Sequence, residues 1–198
     1  MNLLHIDSSI LGEHSASRTL TREIVTRLRA AEPGARVVYR DLAAQPLPHF
    51  SAGSLTAADG AVAAADATAL EEFLAADVVV IGAPLYNFSL PSQLKAWIDR
   101  ISIKGRTFRY TAQGPQGLAG GKKVIVAISR GGVYAPDAGT EFGESYLRFL
   151  FGFLGITDLT FVRAEGLNVS PEHRDAALTQ ARAHIHRLSG APASALAA

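Results

Sequence analysis

The sequence predicts a three-layer α/β fold, a doubly wound, five-stranded parallel sheet with helices on both faces. Short apolar runs and amphipathic helical patterns alternate five times along the 198 residues, the rhythm of strand–helix–strand units. The third and fourth runs, DVVVIGA and KKVIVAIS, are nearly continuous in Val, Ile and Ala, as expected of strands covered on both faces.

The first strand is expected at Asn2–Asp7, NLLHID. After a serine-rich connection, SRTLTREIVTRLRAAE sets Leu20, Ile24 and Leu28 on one helical stripe with arginines elsewhere. The second strand is ARVVYRDL, Ala35–Leu42. Residues 43–60, AAQPLPHFSAGSLTAADG, read as a long surface loop bearing Pro and Gly and able to cover a site. ADATALEEFLAA leads as a helix into the third strand, Asp77–Ala83, and LPSQLKAWIDRIS leaves it as another. Residues 105–121, GRTFRYTAQGPQGLAGG, suggest a short hairpin or extended excursion before the fourth strand, Lys122–Ser129, whose paired lysines suit a solvated strand start. ESYLRFLFGFLG is apolar on several faces, which fits either a covered internal helix or a dimer interface. The fifth strand, Asp158–Glu165, precedes a last helix in SPEHRDAALTQARAHIHRL. Right-handed crossovers and a count of five strands favour the flavodoxin-like order 2-1-3-4-5 over a six-stranded dinucleotide fold. No repeat or linker divides the chain. Residues 1–190 are therefore expected to form one domain, with 191–198 as a flexible, uncharged tail.

Composition narrows the class. With 48% of its residues hydrophobic the chain can bury one sizeable core. A formal charge of +1 without a basic run argues against nucleic acid as a partner. The absence of cysteine excludes disulfides, thiolate catalysis and cysteine-bound metals, and suits a cytoplasmic protein. The start, MNLLHIDSS, has no secretory-signal pattern, and no apolar stretch is long enough to span a bilayer.

In the expected strand order a ligand crevice opens at the carboxyl ends of strands one and three, with the end of strand four alongside. Three segments meet there. DSSILGEHSASRT carries Ser8, Ser9, Ser15 and Ser17 ahead of a helix whose free amides could hold a phosphate; taken alone, a helix cap by Ser15 or Ser17 is the simpler reading. APLYNF places Asn87 between the rings of Tyr86 and Phe88, a set suited to a flat heteroaromatic ligand. The competing reading puts the rings in the core or an interface and makes Asn87 a cap. In SRGGVY, Gly131 and Gly132 allow close backbone approach, or simply make a tight turn.

Other chemistries lack their residues. There is no GxxxxGK[ST] or GxGxxG motif for nucleotide phosphates and no GxSxG elbow for a serine hydrolase. Asp7 ends strand one, whereas a response-regulator phosphoacceptor would end strand three, here Gly82-Ala83-Pro84. His5 suits a core position and His14 an exposed one. His184 and His186 are two residues apart on a helix and make a poor metal pair.

Together these segments resemble the FMN-dependent azoreductase, or NADH:quinone oxidoreductase, family. The resemblance runs through SSILGEHSASRTL, RDLAAQPLPHF, APLYNFSLPSQLKAWID, GRTFRYTAQGPQGLAGGKKVIVAISRGG and FLFGFLGITDLTFVRAEGL, nearly the whole chain. It implies noncovalent FMN near a homodimer interface. Ser9, Ser15, Ala16 and Ser17 would surround its phosphate; Pro84, Leu85, Tyr86, Asn87 and Phe88 would meet the isoalloxazine; Ser129, Arg130, Gly131 and Gly132 would close the other side. Ala16 stands where the family often has an amide residue, Leu85 where methionine is common and Tyr134 where histidine is frequent. The implied chemistry is carried by the flavin, with no catalytic nucleophile or metal. NADH or NADPH would donate hydride in a ping-pong cycle, and a quinone or an azo compound would accept, the azo bond needing two cycles. The rival is a flavodoxin-like electron carrier serving protein partners, against which the near-neutral charge speaks.

Overall fold

The computed structural model describes residues 1–56, 60–134, 140 and 142–188, the side chains of 55–56 and 60–66 excepted. The expected tail at 191–198 and the stretch 57–59 of the long loop lie outside the described residues. In chain order the elements are β1 (Asn2–Asp7), α1 (Ala16–Ala31), β2 (Arg36–Asp41), α2 (Ala52–Thr56), α3 (Gly60–Ala75), β3 (Val78–Pro84), α4 (Ser92–Ile101), β4 (Phe108–Thr111), β5 (Gly114–Gly117), β6 (Lys123–Ser129), α5 (Gly143–Phe153), β7 (Asp158–Ala164) and α6 (Pro171–Ile185). The five-stranded sheet runs β2-β1-β3-β6-β7 and every pairing in it is parallel. That is the expected flavodoxin-like order, with the β4–β5 hairpin inserted between the third and fourth sheet strands. The loop at 43–60 departs from expectation by containing α2.

Alternation along the central strands explains the three layers. Val79, Ile81, Val124, Val126 and Ile128 face one side, where Phe73 of α3, Trp97 and Ile98 of α4 and Phe151 of α5 cover them. Val78, Val80, Ile125 and Ala127 face the other, beneath Leu20, Ile24 and Leu28 of α1 and Ala181 and Ile185 of α6. Every residue of β3 and β6 is buried, which is why their sequences show no polar–apolar alternation. The parallel register aligns the strand ends. Asp7 lies opposite Asp41 and Gly82, Pro84 opposite Ser129, and Ser129 opposite Ala164.

The lysine pair before β6 is not solvated as expected. Lys123 is buried and reaches Asp158 Oδ2 at 3.5 Å. Lys122 donates from Nζ to the carbonyls of Leu74 and Ala76 at 2.6 and 2.8 Å, where the end of α3 presents unsatisfied oxygens to a cation. Burial holds the Lys122 ammonium below its ordinary pKa.

The hairpin is seated by backbone contact. A Cβ built on Gly117 would fall 2.1 Å from the amide nitrogen of Gly155, which itself has a left-handed φ of 90°. Ala119 N–H then bonds the Leu154 carbonyl at 2.9 Å. We predict that Gly117→Ala lowers stability by ~1–3 kcal/mol, an overpacking cost. Gly34→Ala, with open space around it, should stay within about 0.5 kcal/mol. Urea-unfolding midpoints test both.

Candidate functional site

Three loops leaving the carboxyl ends of β1, β3 and β6 border one cleft of about 190 Å³. Of the residues singled out in the sequence, Ser9, Ser15, Ala16, Pro84, Leu85, Tyr86, Ser129, Arg130 and Gly131 line it. Ser17, Asn87, Phe88 and Gly132 do not. A wider cavity of about 860 Å³ lies between the far ends of α1 and α6; of its charged residues, Arg22 pairs with Glu13, Glu23 with Arg182, and Arg27 donates to the Leu188 carbonyl. The smaller cleft is where polar groups converge.

The serine loop is both a helix cap and something more. Ser15 is the N-cap of α1, its Oγ accepting from Arg18 N–H at 3.3 Å and lying 3.0 Å from Ser17 Oγ. The Ser17 hydroxyl is therefore turned inward, and the residue is fully buried. Among the described residues, the backbone amides of Ala16 and Ser17 make no hydrogen bond. Two such donors at the start of a 16-residue helix are of the kind that suits an anion.

Beneath the loop sits a buried polar network. Arg18 donates from Nε and Nη2 to the Ser9 carbonyl at 3.2 and 2.8 Å, and grips Asp41 through two bonds of 2.6 and 2.7 Å. Asp41 also accepts from the amides of Ala43 and Ala44. The Arg18 guanidinium, with the backbone amides, holds the Asp41 carboxyl below its ordinary pKa. Asp7 accepts from Thr21 at 2.8 Å and Tyr39 at 3.1 Å, with His5 Nε2 at 3.5 Å. Burial works to raise its pKa, but His5, Thr21 and Arg18 outweigh it and the net shift is downward. Burial and the two aspartate charges push Tyr39 up to about 12, so it stays a neutral donor. The network aims at the protein itself and explains Asp7 without phosphoryl chemistry.

The YNF stretch is a tight two-residue turn. Tyr86 N–H bonds the Ser89 carbonyl at 2.9 Å and Ser89 N–H returns to the Tyr86 carbonyl at 3.0 Å. Asn87 and Phe88 at its centre have φ of 48° and 67°, the signature of a type I′ turn. Asn tolerates this region, whereas a bulky Phe does so only under strain, a feature that gathers at ligand clamps. Phe88 is half exposed and packs edge-on against Tyr134 with centroids 6.1 Å apart, joining the loops after β3 and β6. Asn87 caps no helix, because Pro91 holds the N-cap position of α4. Tyr86 OH lies 3.0 Å from Ser9 Oγ, tying the first loop to the second.

In the third loop the carbonyls of Arg130, Gly131 and Gly132 accept from Leu167, Asn168 and Gly166. Among the described residues the amides of Gly131 and Gly132 are unpaired. A Cβ on Gly131 would come within 2.6 Å of the Asn168 side-chain amide, which would have to shift to admit it. Arg130 is buried and paired with Glu165 at 2.7 Å and Glu144 at 3.5 Å.

This geometry coincides with a consistent set of relatives. A family model described as flavodoxin-like fold matches residues 1–188. The FMN-dependent NADH:quinone oxidoreductase 2 of Bradyrhizobium diazoefficiens is 60% identical over 192 residues, covering 91% of this chain and 95% of that protein. The chain belongs to the FMN-dependent NADH:quinone oxidoreductase family. Among solved structures, an azoreductase from Bacillus anthracis superposes with a TM-score of 0.87 at 30% identity, covering 96% of this chain and 99% of the other. An FMN-dependent NADH-azoreductase from the same organism, solved with FMN, gives 0.84 at 26% identity over 94% and 99%.

For a member of this family the sequence reading missed one wall of the cleft. Leu167 and Asn168 after β7 and Arg174 of α6 also line it, as do Leu11 and the exposed His14. The available signal was the strand order. β7 borders β6, so its trailing loop reaches the same crevice. Arg174 adds a second arginine to the wall beside the expected Arg130. Among the described residues, the long loop at 43–60 contributes none of the lining; its Pro48 and His49 carbonyls accept from buried Arg100 instead.

Asp7 and Asp41 both titrate lower in the folded than in the unfolded chain. Their stabilisation is therefore fully present above the unfolded value near 3.8 and is lost as pH falls through the folded values. The urea midpoint should drop as pH falls below the unfolded carboxylate value near 3.8 and through the lower folded values. The Asp7→Asn/Asp41→Asn double variant should be less stable at neutral pH and show a shallower acid decline.

Proposed function

We propose that the cleft holds FMN noncovalently and that the chain is an FMN-dependent NAD(P)H oxidoreductase acting on quinones and azo compounds. The observation that carries this reading is that Ala16 and Gly131, whose amides are unpaired among the described residues, line one cleft whose third wall is Pro84–Tyr86. Ser9, Ser15, Ala16 and Ser17 hold the phosphate, with the Ser15 and Ser17 hydroxyls 3.0 Å from each other. Pro84, Leu85, Tyr86, Asn87 and Phe88 meet the ring, with the Asn87 amide serving its polar N3/O4 edge. Ser129, Arg130, Gly131 and Gly132 face it from the other side, and the amides of Gly131 and Gly132, unpaired among the described residues, are suited to negative charge near N1 and O2. FMN supplies the hydride and electron chemistry when bound.

The protein's part is to bind, orient and stack. The donor, NADH or NADPH, leaves before the acceptor enters, a ping-pong order. A quinone takes two electrons and two protons. An azo bond takes four of each to become two amines and so needs two cycles. The names of the relatives, FMN-dependent NADH:quinone oxidoreductase and azoreductase, support this assignment. Residues 1–190 act as one domain in the cytoplasm. No helix among the described residues is long and apolar enough to cross a membrane.

The cleft is smaller than the ~300–1,000 Å³ usual for ligand pockets, which fits a site completed by a second copy. An aromatic surface suited to that copy exists. Phe149 is 73% and Tyr110 65% exposed, and the rings run Phe149–Phe153–Phe108–Tyr110 with centroid spacings of 6.5, 4.8 and 5.7 Å. We predict a homodimer in sedimentation that Phe149→Glu shifts towards monomer, with weaker flavin retention.

The deciding experiment is reconstitution of the purified protein with FMN, followed by NADH and NADPH turnover against a quinone and an azo dye. One flavin per chain and parallel double-reciprocal lines are expected. Asn87→Ala should lose roughly tenfold in kcat/KM, the worth of one hydrogen bond. A chain that takes up no flavin ends this reading. Unchanged FMN affinity and turnover in Asn87→Ala removes only the Asn87 role.

A further inference from the structure

We infer that Arg174 is a phosphate-binding residue of this cleft, closing over the FMN phosphate from α6 opposite the start of α1. The inference rests on the FMN reading and adds a cation to a phosphate site that the sequence reading built from hydroxyls and amides alone.

Position comes first. Arg174 lines the same cleft as Ser9, Ser15 and Ala16. Helices α1 and α6 pack side by side on one face of the sheet. Glu23 and Arg182 pair across them at 3.0 Å. Counting back eight residues from Glu23 reaches Ser15, the N-cap of α1, and counting back eight from Arg182 reaches Arg174. Both helices rise equally per residue, so Arg174 lies level with the unpaired amides of Ala16 and Ser17.

Charge comes second. Among the described residues the Arg174 side chain has no hydrogen bond, ion pair or ring contact, although Glu172 and Asp175 flank it in sequence. The cleft's other arginine, Arg130, is taken up by Glu165 and Glu144. Arg174 is only partly exposed, and it stands in the first turns of α6, where the helix dipole disfavours a cation. An unpartnered guanidinium held in that place is accounted for by an anion within the cleft. The planar fork suits phosphate oxygens through paired N–H bonds. The anion is thereby gripped from two helices, with amide dipoles on one side and a full charge on the other.

Riboflavin, which is FMN without its phosphate, separates this role from contact with the ring. Full-length protein stripped of flavin is titrated with FMN and with riboflavin, and dissociation constants are read from flavin fluorescence. Arg174→Gln should weaken FMN about tenfold to a hundredfold, as expected for a hydrogen bond to a charged group. Riboflavin should be unaffected, and Arg174→Lys should recover part of the loss. The FMN dissociation constant of the wild type should also rise more steeply with salt than that of Arg174→Gln. Equal weakening of both ligands, or no change in FMN affinity, overturns the assignment. Failure of the wild type to bind FMN at all would instead remove the functional reading beneath it.

Discussion

The guanidinium of Arg18 ties the loop after β1 to the edge strand β2, and the working end of the molecule is arranged around that tie. Its five hydrogen bonds reach the Ser9 carbonyl, Asp41 and the Tyr39 hydroxyl. Tyr39 and Thr21 in turn hold Asp7. A buried charge this well satisfied is costly to disturb from one side only. It converts a serine-rich connection that could adopt many shapes into one shape. Ser9 then meets Tyr86, and the second loop inherits its position from the first.

Around that fixed point the cleft is built from groups left unsatisfied. Secondary structure normally consumes backbone donors, yet among the described residues the amides of Ala16, Ser17, Gly131 and Gly132 remain unpaired. The turn at Asn87–Phe88 holds an aromatic residue in the left-handed region. Each feature is a local cost that a bound anion or planar ring can offset. The proposed site thus lies where the fold is least self-satisfied, at strand ends that the parallel register brings into line. Glu144 shows the opposite arrangement. Burial works to raise its pKa, but Arg163 and Arg148 outweigh burial and hold its carboxyl low. With Arg130 also beside it, its charge is matched within the protein.

Much of this was legible in the residue order. Continuous Val and Ile in β3 and β6 announced strands covered twice, and the stripe Leu20–Ile24–Leu28 announced which face of α1 is buried. Glycine pairs and serines at element ends marked the loops worth inspecting. Less legible were positions whose meaning depends on a distant partner. Lys122 reads as a surface residue until the end of α3 is brought to it. Arg174 reads as an ordinary helix arginine until α6 is laid beside α1. Ser17 and Asn87 were equivalent candidates in sequence, yet one turns its hydroxyl inward and the other occupies a strained turn.

By itself, then, the sequence determined the layers, the strand order and the three loops at the crevice, because hydrophobic period and turn chemistry are local properties. Only the tertiary structure decided which donors remain free, which charges are already paired and which wall the β7–α6 loop supplies. Those depend on contacts between residues far apart in the chain, such as Arg18 with Asp41 and Glu23 with Arg182, and no local pattern encodes them.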